Sequence, residues 1–248
     1  MALPGRAGSP VLIAVLSDIH GNLEALDAVW RDMAAFDVGR VVCLGDMIGY
    51  GPNPEEVLVS VRARGALCCL GNHELGVAFR RERSWFNPTA RQGLTATEKL
   101  LSPDSLAFIA GLPRFLCLEG ARFVHGFPPD SATTYLYDVA DEHVLDWFAR
   151  GDGLTFVGHT HELLLLGREG HDVVRRRLGR ESFALTRPSL INAGSVGQPR
   201  DGNNNAKYLL WDTAGDTITV RFVPYDIERT VAKIRDRGFP EYFATRLW

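Results

Sequence analysis

Only four cysteines occur among the 248 residues, and no two are spaced C-x-x-C. That excludes a zinc ribbon or a thioredoxin-type redox pair. Cys43, Cys68, Cys69 and Cys117 each lie within or beside an apolar, strand-like run. They are expected to be reduced core thiols of a cytoplasmic protein. Long hydrophobic runs are also missing. The longest, 11–16, has six residues, against the ~20 that a membrane span requires. No small-residue cleavage pattern follows it, so no secretory leader is expected. Basic charge is not in excess either: Lys and Arg number 27 against 30 Asp and Glu, a net charge of −3. The chain therefore has no bulk positive field with which to recruit nucleic acid or an anionic membrane. What remains is 46% hydrophobic and 23% charged residues, too apolar a mixture for disorder. The length is sufficient for a packed core without a metal or disulfide staple.

The apolar run at 11–17 suits a strand buried on both faces. A helical pattern follows over 23–35, then a strand at 41–44, a helix at 54–64 with Pro54 in its first turn, and a strand at 67–70. This β-α-β-α-β opening implies right-handed crossovers and a parallel sheet. Residues 74–113 are polar, Arg-rich and then helical, with a capping box at Thr95-x-x-Glu98 and a second helix start at Ser102-Pro103-Asp104. Strands at 114–118 and 122–125 are joined by the turn Glu119-Gly120. A helix over 141–150 precedes a strand at 154–157. Strands follow at 162–168, 171–177, 182–192, 207–212 and 217–223, and helices at 226–237 and 242–248. No linker or repeat interrupts the chain. The expectation is one domain over 1–248, with a helical insertion near 74–113 and C-terminal helices near 226–248.

Five times an apolar strand ends in a cluster of Asp, Asn or His: Asp18-Ile19-His20, Gly45-Asp46, Gly71-Asn72-His73-Glu74, His125, and Gly158-His159-Thr160-His161. Five of the seven histidines lie at these ends, and only His143 and His171 do not. In an open α/β sheet the carboxyl ends of strands converge on one crevice, so these groups should meet. Imidazoles mixed with carboxylates and one amide suit Mn, Fe, Zn or Ni better than Ca or Mg. Eight groups are too many for one ion and suit two. A pair of ions about 3.5–4 Å apart polarises a phosphoryl group, bridges a hydroxide and supports in-line displacement. The residues alone thus point to a dinuclear metallohydrolase.

The ordered set D-x-H, G-D, G-N-H-E, H-G and G-H-T-H, spanning residues 18 to 161, resembles the calcineurin-like metallophosphoesterase superfamily. The resemblance implies an α/β fold, a four-layer α/β/β/α sandwich of two mixed sheets flanked by helices. It implies one metal ion held by Asp18, His20, Asp46 and His161, and a second held by Asp46, Asn72, His125 and His159, with Asp46 bridging. His73 is implied to be no ligand; it would face the leaving-group oxygen and stabilise or protonate it. The stretches 45–52 (GDMIGYGP) and 192–200 (NAGSVGQPR) resemble small bacterial members, some of which hydrolyse phosphodiesters or diadenosine polyphosphates. The implied reaction is hydrolysis of a small phosphodiester or nucleotide phosphoanhydride by a metal-bridging hydroxide.

Arg200 and Asn203, which follow the second stretch, are candidates to grip the distal part of a nucleotide-like substrate. Gly194 and Gly197 either let backbone N–H groups approach a phosphate or form a plain turn. Tyr50 either stacks on a nucleobase or packs. Arg80, Arg81 and Arg83 either line a phosphate entrance or form a solvated helix face, and Arg175 to Arg177 read as protection of an edge strand. Protein Ser/Thr phosphatases of the superfamily carry Arg before G-N-H-E and D-R-G after G-D. Here Leu70 and Gly49 stand at the corresponding places, so protein phosphatase activity recedes. The alternatives are a broad-specificity phosphomonoesterase or a non-catalytic scaffold, and the second is disfavoured because every ligand and His73 are present.

Overall fold

The computed structural model describes residues 10–150 and 153–248; the stretch 1–9, on which the expectation about a leader bears, lies outside the described residues. The chain runs β1 (Leu12–Leu16), α1 (Leu23–Met33), β2 (Val38–Cys43), α2 (Pro54–Ala63), β3 (Leu67–Cys68) and α3 (Asn72–Ala78). A 3-10 turn at Arg80–Trp85 leads to α4 (Pro88–Glu98), α5 (Pro103–Ala110), β4 (Phe115–Leu118) and β5 (Ala121–Val124). A second 3-10 turn at Leu136–Asp138 precedes α6 (Asp141–Ala149), β6 (Leu154–Val157), β7 (Leu163–Glu169), β8 (Asp172–Arg177) and β9 (Ser182–Ala184). Then follow β10 (Ser189–Ala193), β11 (Ala206–Asp212), β12 (Thr217–Val223), α7 (Ile227–Asp236) and α8 (Glu241–Thr245).

The strands form two mixed six-stranded sheets, ordered β3-β2-β1-β11-β12-β9 and β4-β5-β6-β10-β7-β8. Side chains alternate across each strand, which sorts one apolar run into two cores. In β1, Ile13 and Val15 point between the sheets, toward Phe123, Phe156 and Ile191, while Ala14 and Leu16 face Leu26, Val29 and Val57 of α1 and α2. On the far side Val124, Val157 and Leu190 pack on Val144, Trp147 and Phe148, largely from α6. Helices, sheet, sheet and helix are thus stacked in four layers. Among the described residues, no helix is long and apolar enough to cross a membrane.

Two features of this topology place the site. In the first sheet β1, β2 and β3 are mutually parallel, and in the second β5, β6 and β10 are. Each sheet therefore carries a triplet whose carboxyl ends open along the same edge.

Several sequence expectations are corrected. The run 182–192 is two strands in different sheets, split before Pro188, which has no N–H to donate to a ladder. Thr95 begins no helix: Asn87 caps α4 by accepting Ala90 N at 2.9 Å, with Pro88 at the first turn, and Thr95 bonds back to the Arg91 carbonyl. Ser102 does cap α5, accepting Ser105 N at 3.1 Å. Glu119 and Gly120 form the hairpin turn with φ of 49° and 73°. Cys43, Cys68 and Cys69 are buried free thiols, but Cys117 is exposed, because β4 is an edge strand and only one of its faces is covered. Strand β8, with Arg175 to Arg177, is the opposite edge.

Candidate metal centre

The five strand-end clusters meet. His161 Nε2 lies 3.1 Å from Asp18 Oδ1 and 3.1 Å from His20 Nε2. His125 Nε2 lies 3.1 Å from Asn72 Oδ1, 3.2 Å from His159 Nδ1 and 3.3 Å from Asp46 Oδ2. Asp46 Oδ2 is also 3.7 Å from His20 Nε2 and 3.9 Å from His73 Nε2. All eight side chains are buried. His143 and His171 are exposed and remote from these contacts.

Local backbone aims the ligand atoms. Asp18, His20, Asp46, His159 and His161 all have positive φ, between 50° and 70°. A non-glycine residue in that region costs roughly 1–3 kcal/mol, and such strain collects where function demands it. The loops are clamped by neighbours far away in sequence. Glu74 accepts Asp46 N and Met47 N at 2.7 Å, Gly71 N at 3.0 Å and Ile48 N at 3.2 Å. Burial and Asp46 push its carboxyl up to about 7, while these four donors favour the charged form.

The turn 194–198 is a second clamp rather than a phosphate cradle. Val196 N donates to Ser17 O and Gly197 N to Asp18 O, both at 3.0 Å. A Cβ on Gly197 would sit 1.7 Å from Ile19 O, so only glycine permits this approach.

Whether the pocket fits cations is decided by where the protons are. His20 Nδ1, His125 Nδ1 and His161 Nδ1 lie 3.1, 3.2 and 2.6 Å from the carbonyls of Ile48, Leu44 and Gln198, and His159 Nε2 lies 3.2 Å from Thr133 O. Carbonyls only accept, so each of these nitrogens carries the hydrogen and each opposite nitrogen turns a lone pair inward. Lone pair faces lone pair between His20 and His161, and between His125 and His159. Asp18 Oδ1 is buried without a donor among the described residues. Such a pocket is short of positive charge. Burial opposes ionisation of Asp46, but His125, His73 and His20 hold it well below the usual carboxylate range. Burial also opposes protonation of His125, yet Asp46, Asp18 and Glu74 lift it to about 9, so this inward lone pair takes up a proton wherever no cation neutralises the carboxylates. Burial pushes His159 down to about 3 and His161 to about 4. Asp18, His20 and His161 could hold one cation, and Asp46, His125 and His159 another.

Residues 11–171 match the family model for calcineurin-like phosphoesterases. The chain belongs to that family. It is 36% identical over 242 residues to an uncharacterized protein of Methanocaldococcus jannaschii, covering 96% of this chain and 97% of that one. It is similar to the crystal structure of a metallophosphoesterase from Sphaerobacter thermophilus, at 32% identity and a TM-score of 0.84, over 96% of this chain and 98% of that one. A hypothetical protein of Pyrococcus horikoshii shares the fold at 18% identity and a TM-score of 0.79, over 96% of this chain and 98% of that one. The protein is thus a phosphoesterase, a hydrolase of a family that binds divalent metals.

In this calcineurin-like site His73 stands apart from the other histidines. Its Nδ1 is buried with no hydrogen-bond partner among the described residues. Its ring is held by aromatic packing instead, with Tyr50 at 4.4 Å and Phe86 at 5.1 Å, both edge-on, and His20 at 4.8 Å. Gly49 makes room for it: a Cβ there would fall 2.0 Å from Nδ1, and the residue has φ +88°. Gly49→Ala should therefore displace the ring and lower kcat by roughly 10²-fold, the scale of a 1 Å misplacement, with metal content unchanged. A kcat equal to that of the wild type would show that the ring position is not critical.

The substrate-side candidates separate. Tyr50 packs, with His20, His73 and Phe243 against it. Arg200 lies at the site: its backbone N–H donates to His161 O at 3.2 Å, its guanidinium donates to Gln198 Oε1 at 3.2 Å, and its Nε is buried without a partner among the described residues. Asn203 is exposed, and its contacts build its own loop: Oδ1 accepts Asn205 N and its carbonyl accepts the Lys207 ammonium. Arg80 and Arg83 pair with Glu98, so that cluster ties the insertion together. Glu74, Phe86 and Tyr135 had no role in the sequence reading. Tyr135 stacks on His159 at 3.7 Å and 14°. A glutamate at the third position of a helix that follows a loop, and aromatics set in polar segments, were the available signals.

Proposed function

We propose that the protein is a dinuclear metal-dependent phosphoesterase acting on small phosphodiesters or nucleotide phosphoanhydrides, with the whole 248-residue chain working as one domain. The observation that carries this reading is the position of Asp46, whose Oδ2 lies between the two histidine clusters, 3.7 Å from His20 and 3.3 Å from His125. Asp18, His20, Asp46 and His161 would hold one divalent transition-metal ion, and Asp46, Asn72, His125 and His159 the other. Manganese, iron, zinc and nickel suit this donor set. Two such ions, when bound, supply the charge that polarises a phosphoryl group and acidifies the attacking water. His73 supports the leaving oxygen from its aromatic seat. Arg200, beside Tyr50 and His161, positions the non-reacting part of the substrate.

The diester preference follows from charge. A monoester brings about two negative charges to the centre and a diester about one. Leu70, at the place of the protein phosphatases' arginine, is buried against Leu75 and Ala132 and offers no phosphate clamp. The test is a panel of bis-p-nitrophenyl phosphate, p-nitrophenyl phosphate, cyclic nucleotides and diadenosine tetraphosphate, with and without chelator. The diesters or the dinucleotide should show the higher kcat/KM, and chelator should abolish turnover until metal is restored. Turnover that survives complete metal removal, or a clear preference for the monoester, would count against the reading. Arg200→Ala should raise KM for the dinucleotide much more than for bis-p-nitrophenyl phosphate. Equal effects on both would remove Arg200 from substrate binding.

A further inference from the structure

A cleft of about 170 Å³ opens directly off the centre, sharing Asn72 and His159 with it. Most of its other walls come from two segments outside the ligand loops. One is the 3-10 turn of the Arg-rich insertion and the residues just after it, with Glu82, Trp85, Phe86 and Asn87; the other holds Thr133 and Tyr135. Trp85 is 78% exposed, and among the described residues it stacks on no other ring. Opposite it, Tyr135 is fixed in a ladder between His159 at 3.7 Å and Tyr137 at 4.9 Å, nearly parallel to both.

We propose that this cleft is a base-binding subsite, in which the nucleobase of a nucleotide substrate stacks on Trp85 while its phosphate reaches the Asn72–His159 side of the centre. The inference rests on the proposed phosphodiester or phosphoanhydride activity for what the bound nucleotide is for, but the subsite is defined by its own groups. An indole face left in water beside a cleft is a platform for any planar base. The polar groups suit a base edge. Asn87 Oδ1 is committed to Ala90 N, which leaves its amide N–H₂ to donate. Glu82 meets Arg81 through Oε1, which leaves Oε2 to accept. A donor and an acceptor on one cleft match the ring nitrogens and exocyclic groups of a base, whereas an acyl chain would leave both unpaired. A phosphotyrosine ring is disfavoured because its hydrocarbon edge would likewise leave the Asn87 donor and the Glu82 acceptor unpaired. Tyr50 is no alternative platform, since His20, His73 and Phe243 already crowd it.

The experiment uses the metal-loaded full chain and three ligands: AMP, ribose 5-phosphate and phenyl phosphate. Tryptophan fluorescence reports binding directly, and competition against bis-p-nitrophenyl phosphate reports it through turnover. AMP should quench the fluorescence and bind roughly 10-fold more tightly than ribose 5-phosphate, the usual worth of one base stacked on an aromatic ring. Trp85→Ala should erase that preference, and Trp85→Phe should restore most of it. Equal binding of AMP and ribose 5-phosphate, or a preference that survives Trp85→Ala, would overturn the subsite. Tighter binding of phenyl phosphate than AMP would also overturn it, in favour of an aryl-phosphate site. An AMP preference lost in Trp85→Ala but unaccompanied by any diester turnover would uphold the subsite and overturn the diesterase reading instead.

Discussion

Asp46→Asn should lose hydrolysis by roughly 10³-fold or more and purify with both metals depleted, while remaining folded. One Asp46 oxygen accepts His73 N at 2.9 Å, and the other faces His20, His73 and His125. An amide at this place removes one negative charge from both clusters at once. If its oxygen keeps the bond to His73 N, its NH₂ turns toward the inward lone pairs, where no cation can sit. The loss of Lewis acidity is worth several kcal/mol, and each 1.36 kcal/mol is a factor of ten in rate. The fold should survive because the Asp46 and Met47 amides are held by Glu74, which the substitution leaves in place. Elemental analysis and circular dichroism on the purified variant check both halves. A variant that keeps two metals and its activity would sink the bridging assignment.

His73→Ala is the complementary case. It should keep the metals and lose roughly 10²–10⁴ in rate, the usual contribution of a positioned acid or hydrogen-bond donor. His73 Nε2 stands 3.9 Å from Asp46 Oδ2, farther than the nitrogen of His125, and the ring is held by Tyr50 and Phe86. That is the placement the proposed role of a group directed at the substrate requires. The deficit should shrink for esters of nitrophenol, whose leaving oxygen needs little help, and grow for alkyl or nucleotide leaving groups. His20, Asp46 and His73 do lie close enough to form a cation site of their own. Metal loss in the variant would therefore make His73 a ligand, and a deficit independent of leaving group would deny it the leaving-group role.

Much of the centre was legible from residue order. Strands buried on both faces are continuous apolar runs, so the point where each run gives way to Asp, Asn or His marks a carboxyl end. Parallel neighbours bring those ends together. The Glu119-Gly120 turn and the Ser102 cap were readable for a similar reason, because each needs a particular residue type at a particular local position. The box at Thr95 misled because a local pattern says nothing of competitors, and Asn87 with Pro88 had already begun the helix. The run 182–192 misled because two strands of different sheets can be adjacent in sequence and alike in composition.

The sequence by itself determined which side chains could bind metal, in what order, and at which strand ends, because metal chemistry tolerates few residue types. Only the tertiary structure decided how they are aimed. The carbonyls of Leu44, Ile48, Thr133 and Gln198 set the inward nitrogen of four of the five site histidines, and a backbone carbonyl looks the same at every position. Glu74 clamps amides 26 to 28 residues away. The 194–198 turn spends its amides on Ser17 and Asp18. Trp85 and Tyr135 face one cleft from segments about fifty residues apart. Such contacts exist only once two sheets and an insertion have packed, and no local pattern of residue types encodes the distance between them.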